Sequence, residues 1–238
     1  MKINWFYIRM LVLVVLTLGL VAFTHKRNAN RKVKEVQINF EAGANLFVTA
    51  ESVDKLLIQN GKPIEGQYKE ILDLKDLEDK LDAHAMIADA DVYMTLDGVV
   101  GATVKQRKPL ARVQTKTPFY IDEEGKTMPL STNYSARVPL VTGVSKEQVN
   151  EIYPLLNYLQ EDNVLATQVV GISRDKTGDY SLTLRVLNYK VIVGKIEQLS
   201  SKFSNYKAFY QKAIKDNSLE VYKSIDLRFK GQVVGTKK

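Results

Sequence analysis

The chain has 238 residues, 45% hydrophobic and 26% charged, with 13 Gly and 6 Pro. That is room for one large or two small globular domains, and it excludes wholesale disorder, collagen and low-complexity repeats. There is no cysteine and only two histidines, His25 and His84, which excludes a disulfide framework, a Cys-based zinc site, a thiol nucleophile, a Cys-linked lipid anchor and a three-His metal centre. The net charge of +7 sits at the ends: residues 1–35 carry seven Lys/Arg and one acid, residues 195–238 ten and four, whereas residues 36–194 hold 17 basic and 22 acidic side chains. Basic ends suit a membrane surface or a partner better than a nucleic-acid face spread through a folded domain.

Residues 10–24, MLVLVVLTLGLVAFT, carry no charge. Alone they span about 22 Å, less than the hydrocarbon core of a bilayer, but extended back to Ile3 they give about 33 Å. We therefore expect one transmembrane helix over 3–24, with Trp5 and Tyr7 in the interfacial belt and Arg9 reaching back to the headgroups. A cleaved signal peptide fits less well, because Val21-Ala22-Phe23-Thr24-His25 offers no small-x-small cleavage site. Lys26, Arg27, Arg31, Lys32 and Lys34 follow the helix, and only Lys2 and Arg9 precede or enter it. A count of Lys and Arg alone thus places the carboxyl side inside the cell.

In 33–40, Val36, Ile38 and Phe40 alternate with polar residues, as in a strand. Thr49 is placed to cap a short helix carrying Val53, Leu56 and Leu57, closed by Asn60-Gly61. A second helix is expected near 74–84, with Leu74, Leu77 and Leu81 on one face. A strand over 88–96 then turns through a two-residue Asp97-Gly98 hairpin into a return strand, and Pro109 ends the pairing. His84 reads as a cap or surface residue. This βααββ order behind a single membrane helix resembles a POTRA domain. Val104-Lys105-Gln106-Arg107-Lys108-Pro109-Leu110-Ala111 resembles the Val-x-x-Arg-x-Pro-x-Ala run of the bacterial cell-division family FtsQ/DivIB.

The second segment continues both the pattern and the resemblance. Phe119–Lys126 reads as an aromatic strand entering an acidic, solvated turn at Asp122-Glu123-Glu124-Gly125, and Val138–Gly143 supplies a Val-Pro-x-x-x-Gly element; in FtsQ proteins similar elements follow one another. Val149, Ile152, Tyr153, Leu156 and Leu159 form a helical stripe over 145–160, in which Pro154 should kink or divide the helix. Strands are expected at 168–174, 180–187 and 189–194. A helix should follow over 195–216, its stripe made by Ile196, Leu199, Phe203, Tyr206, Phe209, Tyr210 and Ile214. The run Ser224-Ile225-Asp226-Leu227-Arg228-Phe229-Lys230-Gly231-Gln232-Val233-Val234 resembles the terminal strand of FtsQ, where an Asp-Leu-Arg-aromatic signature closes the domain.

The expected architecture is therefore α+β: a short end, membrane helix and basic linker in 1–32, a POTRA-like βααββ domain in 33–108, and a mixed, mainly antiparallel β domain in 109–238. The resemblance implies a non-enzymatic scaffold in the cytoplasmic membrane at the division septum, with its soluble part outside. It also implies that FtsB- and FtsL-like single-span proteins dock by strand addition on Ser224–Val234. Read as one strand, that run puts Phe229 and Val233 on one side and Asp226, Arg228, Lys230 and Gln232 on the other. Arg107 and Pro109 read as structural residues bridging the two domains. The bilayer is the other partner; no cofactor, metal site, nucleic acid or small-molecule substrate is implied, since no phosphate loop, dinucleotide fingerprint or nucleophile elbow is present. The alternative is another POTRA-bearing envelope protein that handles or transports outer-membrane proteins.

Overall fold

The computed structural model describes residues 5–29, 31–41 and 47–238, so Ile3, Asn4 and Leu46 lie outside the described residues. The chain forms two compact units, Met1–Gln106 and Arg107–Lys238.

The first unit opens with helix α1, Trp5–Ala29. Trp5–Arg27 is long and apolar enough to cross a membrane. The helix runs five residues past the expected Thr24, because nothing in His25-Lys26-Arg27 opposes helix and two cations complement its carboxyl end. Arg9 lies over the Trp5 ring at 5.9 Å, while Trp5 and Tyr7 are both 69% exposed. The soluble part follows as β1 (Glu35–Phe40), α2 (Ala50–Leu56), β2 (Ile58–Gln59), β3 (Lys62–Pro63), a 3-10 turn at Lys69–Ile71, α3 (Leu74–Asp82), β4 (Ile87–Met94) and β5 (Val99–Gln106). Its three-stranded sheet has the order β1-β5-β4, β1 parallel and β4 antiparallel to the central strand. Thr49 caps α2 by accepting from Ser52 N–H, and Asp73 caps α3 by accepting from Asp76 N–H. Val53, Leu77 and Leu81 of the helices are buried, as are Val92, Val100 and Val104 of the sheet.

Two turns differ from the expected ones. Asn60-Gly61 does not stop α2, which already ends at Leu56; both residues have positive φ (53° and 71°) and form the two-residue turn between β2 and β3. The β4–β5 loop has four residues, Thr95, Leu96, Asp97 and Gly98, with Thr95 N–H bonding Val99 O and Gly98 at φ 95°. His84 follows the end of α3, where its Nδ1 accepts from Met86 N–H at 3.3 Å and partial burial lowers its basicity.

The second unit contains β6 (Pro109–Gln114), β7 (Phe119–Asp122), β8 (Thr127–Pro129), β9 (Leu140–Thr142), a 3-10 turn at Lys146–Gln148, α4 (Val149–Glu161), α5 (Asn163–Gln168), β10 (Val169–Arg174), β11 (Tyr180–Leu184), β12 (Lys190–Gly194), α6 (Leu199–Lys215), β13 (Tyr222–Asp226) and β14 (Val234–Lys237). Among the described residues its sheet has nine strands in the order β14-β13-β12-β11-β10-β9-β6-β7-β8. One core joins Ile152, Leu155, Phe203 and Tyr206 from the helices to Val113, Ile121, Ile172, Leu182, Val191 and Ile225 from the strands. Tyr158 stacks on Phe203 at 5.1 Å. Pro154 stays inside an undivided α4. On α6 the stripe shifts by one residue from the expected face: Ala213 is buried and Ile214 is 46% exposed. The short α5 has its own cap, Asp162, which accepts from Val164 and Leu165 N–H.

The acidic turn after β7 is not simply solvated. Asp122 is 1% exposed. It accepts from Arg107 Nη1 at 2.7 Å and from the backbone of Glu124 and Lys126 at 3.0 and 2.8 Å. Arg107 is thereby fastened within the second unit, where Pro109 opens β6 opposite Asp122. A proline suits that first strand position because it has no N–H to give the ladder. Truncating Asp122 would leave a largely enclosed guanidinium without its close partner, so Asp122→Ala should cost about 3 kcal/mol. The urea midpoint of the second unit in the detergent-solubilised chain measures this.

Candidate functional site

A sheet edge exposes unpaired backbone groups, and that is its chemistry: it can accept another strand. In the second unit the two ends of the sheet differ. At one end β8 has only three residues and closes with Pro129, which donates no hydrogen bond. At the other end β14 is four residues long, exposed throughout and free of proline. It pairs antiparallel with β13 on one side (Asp226 opposite Val234, Ile225 opposite Gly235, Ser224 opposite Thr236) and with no other strand of the described residues.

This divides the run expected to be one docking strand. Ser224, Ile225 and Asp226 belong to β13, which is enclosed between β12 and β14, so their backbone is not free. Leu227, Arg228, Phe229, Lys230, Gly231, Gln232 and Val233 form a connection instead of a strand. Leu227 N–H still reaches Ile192 O at 2.8 Å, after which the chain turns with Gln232 N–H bonding Phe229 O at 3.2 Å and Gly231 at φ 70°. The two-sided alternation expected for 226–233 is therefore absent. Of the eleven residues, only Val234 lies on the open strand, and Gly235, Thr236 and Lys237 complete it.

The turn is built by Asp226. Its carboxylate accepts from Arg228 N–H at 3.0 Å and from Arg228 Nε and Nη2 at 3.0 and 2.6 Å, while Arg228 Nη1 reaches Asp179 at 3.2 Å. The aliphatic stem of Arg228 lies over Gly194, at φ 74°, where a Cβ would stand 2.5 Å from Arg228 Cγ. Burial opposes the charge on Asp226, but the Arg228 hydrogen bonds and charge prevail and hold the carboxyl below its ordinary range. Beside the turn is a cavity of about 180 Å³ bounded by Glu197, Ser201, Lys202, Asn205, Arg228 and Lys230. Lys202 donates to the carbonyls of Val193 and Lys195 at 2.9 and 2.7 Å, and burial lowers its basicity. The surroundings of the edge thus hold five cations, Lys202, Arg228, Lys230, Lys237 and Lys238, against Glu197, Asp226 and Asp179.

Tyr222 explains why β14 begins Val-Gly: a Cβ on Gly235 would lie 2.5 Å from the Tyr222 ring, which also packs edge-on to Phe209 at 5.2 Å. This signal was present in the sequence as a glycine near the chain end.

Because the Asp226 carboxyl titrates lower when folded than when unfolded, its contribution is complete above the unfolded value near 3.9 and is lost as pH falls through the folded one. The second unit should lose stability below about pH 4. Asp226→Asn should remove part of that dependence, Asp162 supplying another part by the same mechanism. Urea midpoints of both chains across that pH range measure the difference.

Comparison with known families accords with this geometry. Residues 31–105 match a family described as a POTRA-like domain. Residues 108–236 match one described as FtsQ/DivIB, C-terminal related. The comparison with curated proteins gave no match. The βααββ unit behind an apolar helix and the mostly β unit that follows are therefore those of a division protein, and the chain belongs to the FtsQ/DivIB family.

Proposed function

We propose that the chain is a non-enzymatic, membrane-anchored scaffold of the bacterial division machinery. It recruits FtsB- and FtsL-like single-span partners by strand addition and links them to septal peptidoglycan synthesis. The observation that carries this reading is the free outer side of β14. An added strand satisfies its remaining backbone groups at no cost in buried unpaired polar atoms, and side chains at alternate positions then select the partner. The basic surroundings of the edge favour an acidic partner segment.

In this reading residues 1–32 hold the chain in the cytoplasmic membrane with the amino terminus inside. The unit of about 33–108 and the unit of about 109–238 work on the outer side, at the septum. The excess of Lys and Arg after α1 points the other way, but such counts govern short loops and weigh less when a long folded segment must cross. We place docking at 234–237 instead of 224–234, with Arg228 and Lys230 beside it, because among the described residues β14 pairs on one side only.

The test is recovery of partners from native membranes. A chain ending at Val233 should retain membrane insertion but lose FtsB- and FtsL-like proteins on purification by about tenfold or more, the equivalent of 1.4 kcal/mol. Lys237→Glu with Lys238→Glu, which leaves the β14 backbone in place, should weaken recovery to a smaller extent. Unchanged recovery with the shortened chain would exclude β14 as the docking edge.

A further inference from the structure

The first unit carries a second basic surface, distinct from the β14 edge. We propose that the β4–β5 hairpin tip and the segment leaving α1 form a docking face for anionic lipid headgroups, which lays the first soluble unit against the bilayer that α1 spans. Arg31, Lys32 and Lys34 lie within five residues of the end of α1. Even fully extended, that chain keeps them within about 18 Å of the membrane helix. Lys69 joins them from the far side of the unit. Its backbone N–H bonds Arg31 O at 2.9 Å, and its ammonium donates to Thr95 O and Leu96 O, both at 2.8 Å. Arg31 Nη1 donates to the same Leu96 O at 2.9 Å, Lys34 N–H bonds Gly98 O at 2.8 Å, and Lys32 Nζ stands over the Tyr68 ring at 5.1 Å. The tip's carbonyls thus gather cations that the sequence scatters over 39 residues.

The charge state of this group differs from that of the helix lysines. Lys55, Lys75 and Lys80 each hold a carboxylate within 4 Å. Arg31, Lys32, Lys34 and Lys69 hold none that close among the described residues. Asp97, Glu70 and Glu35 are the acids beside them, which leaves the group with an excess of one positive charge, and of three with Lys26 and Arg27 at the end of α1. At the centre of this basic ring Leu96 is 84% exposed, and Tyr68 is 44% exposed beside it. A bare leucine ringed by cations on a chain already tethered to a membrane matches an interface of negative headgroups over acyl chains. The tether also raises the local concentration of that surface, so weak contacts suffice.

The native chain has no cysteine, so Leu96→Cys gives one labelling site. The full chain carrying an environment-sensitive fluorophore there is placed, one chain per disc, in nanodiscs of phosphatidylcholine alone or mixed with phosphatidylglycerol. The label should be shielded from an aqueous quencher in the anionic discs only, and high salt should release it. Lys32→Gln with Lys34→Gln should shift the docked fraction by about fivefold per charge, about 30-fold for the pair. Lys32→Arg with Lys34→Arg should retain the shielding, which separates loss of charge from damage to the fold. Equal exposure in both discs overturns the proposal. Equal shielding in both assigns the contact to Leu96 and the tether without headgroup charge, and overturns it as well. Shielding that needs two chains per disc assigns the tip to a second copy, with the same consequence.

Discussion

The bond pattern of one carboxylate shapes the border of the larger sheet. Asp226 ends β13, takes three hydrogen bonds from Arg228 and through them turns the chain back on itself. Without that turn the last residues would have no reason to return alongside β13, and β13 itself would be the edge. The Arg228 contact with Asp179 and its packing over Gly194 tie the same turn to the β10–β11 and β12 ends of the sheet. The open backbone of β14 is thus held by a charged node outside it, and the node is only half-exposed where water and salt would weaken it most.

Much of this was legible from residue order. Period-two and helical spacing located β1, α2, α3, β4, β5, β7, α4, β10, β11, β12 and α6, but not the short β2, β3, β8 and α5, nor β6. The capping residues Thr49 and Asp73 sit where side-chain oxygens meet free helix amides. What stayed hidden were places where a side chain rewires the backbone. Ser224–Val234 alternates in polarity as a strand would, so the pattern alone joins it into one element. The break comes from Asp226 bonding its own backbone two residues on, and from Gly231, whose positive φ no alternation reveals. Asp122 was misread for a related reason: three acids in a row suggest solvent, but the fold brings Arg107 onto the first of them. Asn60-Gly61 could close a helix or turn a hairpin, and only the pairing of β2 with β3 decides between them.

The two basic ends of the sequence acquire different physical roles. Toward the amino side Arg31 and Lys69 are held by carbonyls at a loop tip, which fixes their positions without cancelling their charge. At the carboxyl side Arg228 is cancelled by Asp226 and Asp179, while Lys230, Lys237 and Lys238 stay solvated and carry the field. A single net charge of +7 conceals this distinction.

The order of strands in the larger sheet has one more consequence. From β10 onward each strand is laid beside the one before it, through β11, β12 and β13 to β14. Chain order therefore extends this part of the sheet outward, and β14 lies at its border among the described residues. A nascent or clipped chain shows a different border, with other side chains and another register. In the proposed docking, a partner that adds to β14 would meet a chain in which β10 to β13 are already paired.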